Sequence, residues 1–182
     1  MPFDFKSTPL NGLLIIQPRI FTDERGFFME TYKKSEFAAA GITEDFVQDN
    51  HSFSSKGVLR GIHFQRAPHA QGKLVRVVKG AVWDVAVDLR PGSSTFGKWY
   101  ALELTEEHST MFYIPPGFGH TFLTLEDNTH FLYKCTAEYN PESDGGVRWN
   151  DPDLAIKWPF VDGQTPLVSD KDAALPYLKE IS

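Results

Sequence analysis

The sequence predicts an all-β fold of two antiparallel sheets, closed as a sandwich or barrel, with a few short peripheral helices. Three observations carry this reading. Short runs of β-branched and aromatic residues recur between turn signals roughly every eight to twelve residues. Apolar periodicity of helical length is almost absent, which disfavours doubly wound α/β folds. Finally, 14 Gly and 12 Pro in 182 residues mark a turn-rich chain, while 15 Phe, 6 Tyr and 4 Trp exclude disorder.

The elements follow in order. Residues 13–17 and 27–32 read as strands because apolar, β-branched or aromatic residues dominate them, and 35–40 reads as a short helix. Strands are expected next at 47–52, 58–64, 73–78 and 81–89, with Lys79-Gly80 as a two-residue hairpin turn before the last. Arg90-Pro91-Gly92-Ser93 closes that strand with turn chemistry, and strands follow at 99–104, 111–114, 121–125 and 131–138. A final helix is expected within 170–178, where Pro176 must cut or kink it. No repeat, linker or low-complexity tract divides residues 1–182, so one domain is expected. In the strand around Trp83, the residues Trp83, Val85, Val87 and Leu89 share one face, and Asp84, Ala86 and Asp88 share the other. The acids turn either to water or into a cavity, and alternation leaves both open.

Composition removes several functions. A net charge of −6, without a long run of either sign, argues against a nucleic-acid polymer as partner. A nucleotide-sized ligand needs only a few local cations. The longest stretch free of Asp, Glu, Lys and Arg, 108–125, contains two prolines and two histidines and is no membrane span. The opening MPFDFKSTPL lacks the pattern of a signal peptide, so a soluble cytoplasmic protein is expected. The single cysteine, Cys135, excludes an intramolecular disulfide and a Cys-rich zinc site.

Pro115-Pro116-Gly117-Phe118-Gly119-His120 has the P-x-G-x-x-H form of the second cupin motif, and cupins are double-sheet jelly rolls. The first cupin motif supplies H-x-H, but here Gln65 stands where the partner of His63 belongs, and His69 lies beyond Pro68. Two good candidates fall short of the three or four converging ligands a metal needs. The expectation is therefore a cupin-type jelly roll with no metal, whose pocket works by acid–base chemistry.

Each candidate also has a plainer reading. A lone strand histidine such as His63 is ordinarily a satisfied structural residue; as a base it needs an orienting carboxylate and a partner acid. Tyr133 suits that acid, or the rim of a core. Ser169-x-x-Asp172 resembles a capping box with Asp in place of Glu. Lys73 and Arg60 are surface cations, unless they face a pocket and meet an oxyanion and a diphosphate. Strict alternation puts Arg60 and His63 on opposite faces, so both serve one pocket only if Gly61 marks a bulge or twist. Around Gly26, the chain offers Arg25 for phosphate, Phe27 for stacking and Glu30 for polar base edges, or simply a turn and an edge strand. Gln48, Asp49, Asn50 and His51 form a polar tetrad that is unusual in a strand unless solvated or ligand-facing.

Taken in order, DERGFFME, FVQDNHS, VLRGIHFQ, QGKLVRVVKG, VWDVAVDLR, STFG, IPPGFGHTF, FLYK, WNDP and KDAALP resemble the dTDP-4-dehydrorhamnose 3,5-epimerase family over most of the chain. The resemblance implies a jelly-roll homodimer with strand exchange, free of metal and cofactor. Its substrate would be a dTDP-4-keto-6-deoxy sugar, inverted at C3 and C5. It implies His63 as general base, Asp172 as its orienting carboxylate and Tyr133 as the acid on the opposite face. Lys73 would hold the enolate oxygen, with His120 close to the sugar. Arg25, Arg60, Glu30, Gln48, Asp49, Asn50 and Lys171 would contact the nucleotide and diphosphate, some of them from the partner subunit. Phe27, Phe28 or Tyr139 would stack on thymine. Where the family has Ser-Glu-Gly, this chain reads Ser143-Asp144-Gly145, which shortens one ligand contact by a methylene or passes it through water. The rivals are an epimerase acting at C3 or C5 alone, a non-catalytic sugar-nucleotide-binding jelly roll and a metal-dependent cupin oxygenase. The His–Asp–Tyr–Lys set argues against the second, and the missing H-x-H against the third.

Overall fold

A computed structural model of the chain describes residues 2–160 and 163–181. Among these, the strands are β1 (Phe3–Ser7), β2 (Leu14–Pro18), β3 (Phe21–Asp23), β4 (Gly26–Phe28), β5 (Gln48–Ser54), β6 (Leu59–Gln65), β7 (Lys73–Lys79), β8 (Ala81–Asp88), β9 (Trp99–Thr105), β10 (Met111–Ile114), β11 (Phe118–Thr124), β12 (Thr129–Cys135) and β13 (Asp144–Gly146). Helices α1 (Lys34–Ala39) and α2 (Asp170–Ala173) and a 3-10 turn at Leu178–Glu180 complete them. Six strands form a sheet in the order β1-β2-β10-β7-β12-β5, five form a second in the order β13-β6-β11-β8-β9, and β3 and β4 make a separate hairpin. This is the expected cupin-like jelly roll.

Three apolar layers hold it together. Between the sheets, Val75, Val77, Phe112, Ile114 and Phe131 meet Val82, Ala86, Leu104, Phe118 and Phe122. Outside the larger sheet, α1 lays Phe37 against Phe3, Ile16, Leu74 and Met111. Phe37 is fully buried and meets Phe3, Phe5 and Tyr32 edge-on at 5.1, 5.3 and 5.0 Å. Removing such a ring costs roughly 3–5 kcal/mol. Outside the smaller sheet, the C-terminal segment lays Val147, Leu154 and Leu178 over Ile62, Val85, Val87 and Leu89. Among the described residues no helix is long and apolar enough to cross a membrane.

Several expectations change. The strand expected at 27–32 shrinks to Gly26–Phe28, because Tyr32 leaves the extended line to pack on Phe37 and Phe46. Lys79-Gly80 is not a hairpin turn: β7 and β8 lie in different sheets, and this tight corner carries the chain from one to the other. Gly80 has φ +79°, and a Cβ there would stand 2.3 Å from Thr129 Oγ1, so only glycine fits. The final helix stops at Ala173, before Pro176, and the chain resumes as a 3-10 turn. Strands β1, β3 and β13 join those the sequence indicated. The acids of β8 do not meet water: Asp84 and Asp88 are both fully buried, while Val85 and Val87 on the opposite face lie under the C-terminal cover.

Candidate active site

Strand β6 is where the polar site begins. Gly61 has φ +111°, and a Cβ on it would lie 2.6 Å from the carbonyl oxygen of His120. The pairing of β6 with β11 slips beside it, between His120 and Phe122. The irregularity stands where the alternation was in conflict, but the exposed Arg60 does not line the cavity that His63 lines. His63 faces the interior, while the Arg60 guanidinium reaches across to donate to Ser54 Oγ on β5, in the other sheet, at 3.3 Å.

His63 Nε2 lies 2.6 Å from Asp172 Oδ1, and the other Asp172 oxygen accepts from the Gly61 N–H at 3.0 Å. Ser169 Oγ accepts from the Asp172 N–H at 3.1 Å, so the helix cap forms, but the Asp172 side chain turns to His63 instead of closing a capping box. Burial alone would push the Asp172 carboxyl up; the hydrogen bond and charge of His63, with the Gly61 N–H and Lys171, hold it below the usual carboxylate range. An ionised carboxylate only accepts, so His63 Nε2 carries the hydrogen and Nδ1 offers its lone pair.

The facing wall comes from the larger sheet. Lys73 opens β7, with Nζ 5.9 Å from the centre of the Tyr133 ring on neighbouring β12. Among the described residues no carboxylate lies within ion-pairing distance of Lys73. Burial pushes its ammonium below the usual lysine range, against the pull of the nearby Asp84 and Asp144 carboxylates. Burial likewise raises the Tyr133 phenol, so it keeps its proton at neutral pH. A cavity of about 420 Å³ separates these groups; Gln48, Asn50, His63, Lys73, Tyr133 and Asp144 line it, with Tyr139 and Lys171.

At the mouth, Lys171 Nζ donates to Asp144 Oδ2 at 2.6 Å, and the Tyr139 hydroxyl donates to the same oxygen at 3.4 Å. Gln48 accepts from the Tyr139 N–H at 2.7 Å and donates to Asn50 at 3.1 Å. His120, the register partner of His63, meets Asp84 with Nε2 at 2.9 Å. Burial first, then the nearby charges of Lys73 and His63, hold the His120 imidazole below its ordinary value, although Asp84 pulls the other way.

Other candidates stand apart. Asp49 points to the outer face of β5, because the pleat alternates, and pairs with Lys134 Nζ at 2.8 Å. Arg25 pairs with Asp23 on the β3–β4 hairpin, and Arg25, Phe27, Phe28 and Glu30 do not line the cavity of this chain. Gln65, which stands where a metal ligand would belong, has a structural task. Its amide donates to the carbonyls of His69 at 2.7 Å and Glu138 at 3.2 Å and accepts from the Asn140 N–H at 2.8 Å, tying three loop positions together. Asp84 was visible as a polar residue in an alternating strand, but its pairing with His120 was not.

Three comparisons bear on this geometry. The family model described as dTDP-4-dehydrorhamnose 3,5-epimerase matches residues 7–180. The dTDP-4-dehydrorhamnose 3,5-epimerase of Methanothermobacter thermautotrophicus is 49% identical over 178 residues, covering 98% of this chain and 96% of that protein. That of Escherichia coli K12 is 50% identical over 175 residues, 96% of this chain and 94% of the relative. The solved structure of the dTDP-6-deoxy-D-glucose-3,5-epimerase from Legionella pneumophila, in complex with dTDP-4-keto-L-rhamnose, superposes with a TM-score of 0.94 at 46% identity, covering 99% of this chain and 95% of that one.

Proposed function

The chain belongs to the dTDP-4-dehydrorhamnose 3,5-epimerase family, and we propose that His63, Asp172, Tyr133 and Lys73 carry its reaction. The enzyme is an isomerase that converts dTDP-4-dehydro-6-deoxy-D-glucose to dTDP-4-dehydro-L-rhamnose. The observation that carries the assignment of roles is the opposition across one cavity of an imidazole on the smaller sheet and a phenol on the larger, with a cation beside the phenol.

The C4 ketone acidifies the C–H bonds at C3 and C5, because the electron pair left by proton removal delocalises onto oxygen. His63 Nδ1 takes the proton, and the C–H electrons become an enolate whose charge rests on the C4 oxygen. Asp172 stabilises the imidazolium that forms. Lys73 has no carboxylate at ion-pairing distance and gains one in effect when the enolate appears, so it stabilises the transition state more than the ground state. A donor at such an oxyanion contributes about 3–4 kcal/mol. Tyr133 returns a proton to carbon from the opposite face as the enolate collapses to the ketone, and solvent re-equilibrates the two residues. Carbon, oxygen and proton counts balance without a redox partner.

Arg60 and Lys171 are the cations for the diphosphate, with Gln48, Asn50 and Asp144 on the nucleotide side and Tyr139, 56% exposed, as a stacking surface. A cytoplasmic homodimer supplies the rest. Strand β5 ends its sheet with a free edge, and the β3–β4 hairpin holds out Phe27 and Phe28, 66% and 65% exposed. The hairpin of a second copy laid on that edge brings Arg25, Phe27 and Glu30 to the cavity mouth.

Incubation with dTDP-4-keto-6-deoxyglucose in deuterated water, followed by NMR, tests the reading. Deuterium at both C3 and C5 with L-sugar formation supports it. Exchange at one carbon makes the enzyme a single-site epimerase, and no exchange by folded protein overturns the catalytic reading. Phe27→Glu should yield a monomer with weaker dTDP binding; an unchanged sedimentation coefficient would remove the strand-exchange role of the hairpin.

A further inference from the structure

Asp84 is a fully buried acid that the chemistry above leaves without a task. It lies on β8, in register with Phe122, and its hydrogen-bond partner among the described residues is His120 Nε2, at 3.1 Å from Oδ1 and 2.9 Å from Oδ2. The acceptor-only carboxylate requires that Nε2 carry the hydrogen. Phe131 stacks on the ring at 6.0 Å and 17°, which limits its rotation. Among the described residues Nδ1 has no hydrogen-bond partner, yet it is absent from the sealed, unpartnered polar atoms (Ser52 Oγ, Trp83 Nε1, Thr121 Oγ1 and Thr124 Oγ1), so it keeps contact with solvent, and the ring lies near enough to Lys73 and His63, both on the cavity wall, to feel their charges. His63 is the neighbour of His120 across β6 and β11. Two imidazole–carboxylate pairs therefore stand side by side, one ending in a base and the other without an assigned role.

We propose that Asp84 is a positioning residue for the epimerisation: it locks His120 in the Nε2–H tautomer, so that Nδ1 faces the cavity as a hydrogen-bond acceptor for a sugar hydroxyl. The inference rests on the functional reading above and adds a second fixed contact to it. Lys73 donates to the ketone side of the ring while His120 accepts from a hydroxyl, so the two select one orientation of the sugar. A neutral His120 also avoids a further positive charge beside His63 when His63 takes its proton. Fixing the tautomer is a task that a carboxylate performs and its amide does not. Asparagine can rotate and donate its NH₂ to Nε2, which admits the Nδ1–H form.

The test uses the full-length protein, 15N-labelled, with His120 assigned by comparison with His120→Gln. At neutral pH the free wild-type enzyme should show His120 as Nε2–H with Nδ1 unprotonated. Asp84→Asn should populate both tautomers and lower kcat about 10- to 100-fold, with a much smaller change in KM for the keto sugar. An Nδ1–H or doubly protonated His120 in the wild type would overturn the inference. So would Asp84→Asn with wild-type kcat, or with an unshifted tautomer. If Asp84→Asn does not fold, the wild-type spectrum still decides, because the tautomer is read without turnover. Inactivity of the wild type towards the keto sugar would instead count against the epimerase reading, so the two failures are distinguishable.

Discussion

Asp88 and Asp172 are both buried carboxylates held below the usual range, yet they are wired differently. Asp88 accepts from the Arg90 N–H, Nε and Nη2 at 3.1, 2.9 and 2.7 Å, and from Ser93 and Thr95 hydroxyls at 2.7 and 2.5 Å. Burial would raise its pKa, but these donors outweigh it and drive the carboxyl far down. Arg90 spends its remaining Nη1 on the Asn11 carbonyl at 3.0 Å, so the arrangement fixes the corner after β8. Asp172 accepts from one backbone N–H and one imidazole, and that imidazole has a second nitrogen open to the cavity. A saturated carboxylate gives stability, and on the roles proposed above an unfinished relay gives chemistry.

Four substitutions break or sharpen this contrast. His63→Ala should have the largest effect, a loss of at least about 10³-fold in both deuterium exchange and epimerisation. Retention of exchange would move the base elsewhere. Asp172→Asn should lower kcat about 10²–10⁴-fold while leaving most of the stability, because the ring loses its orientation and tautomer preference. A thermal midpoint that falls along with kcat would make Asp172 structural like Asp88. Tyr133→Phe should impair inversion about 10²-fold more than it impairs proton loss, seen as deuterium exchange outpacing product formation. Equal losses would remove its role as the opposing acid. Asp88→Asn should leave kcat near wild type but destabilise the fold by about 3 kcal/mol in urea titration.

The same contrast has a pH signature. Asp88 binds its proton more weakly folded than unfolded, so its stabilisation is present above the unfolded value near 4 and fades as pH falls towards the folded one. Wild-type stability should therefore decline below about pH 4, and Asp88→Asn should show a shallower decline in the same window.

What the sequence made legible follows local physics. The strands that carry the site stand within a few residues of their expected places, because β-branched and aromatic runs between turns are a local property. Even the conflict between Arg60 and His63 was informative, since it pointed to Gly61, where the register does slip. Non-local partners were hidden. Lys79-Gly80 has hairpin chemistry, but turn residues fix backbone angles and not the sheet to which the next strand belongs. Gln48, Asp49 and Asn50 are neighbours in sequence, but the pleat parts them and sends Asp49 outward to Lys134. Strand β13, with two glycines, has almost no strand propensity and becomes a strand by pairing with His63–Gln65. The Asp84–His120 bond spans 36 residues and leaves no local trace.

The bond between His63 and Asp172 joins positions 109 residues apart, and the acid follows every strand of both sheets in the chain. During synthesis His63 therefore emerges long before the carboxylate that it pairs with. A nascent chain halted after Leu167 would already contain every strand of both sheets, together with Tyr133 and Lys73, and still lack the relay. On the roles proposed above, any chain that stops before Asp172 would be inert towards the keto sugar even with both sheets complete.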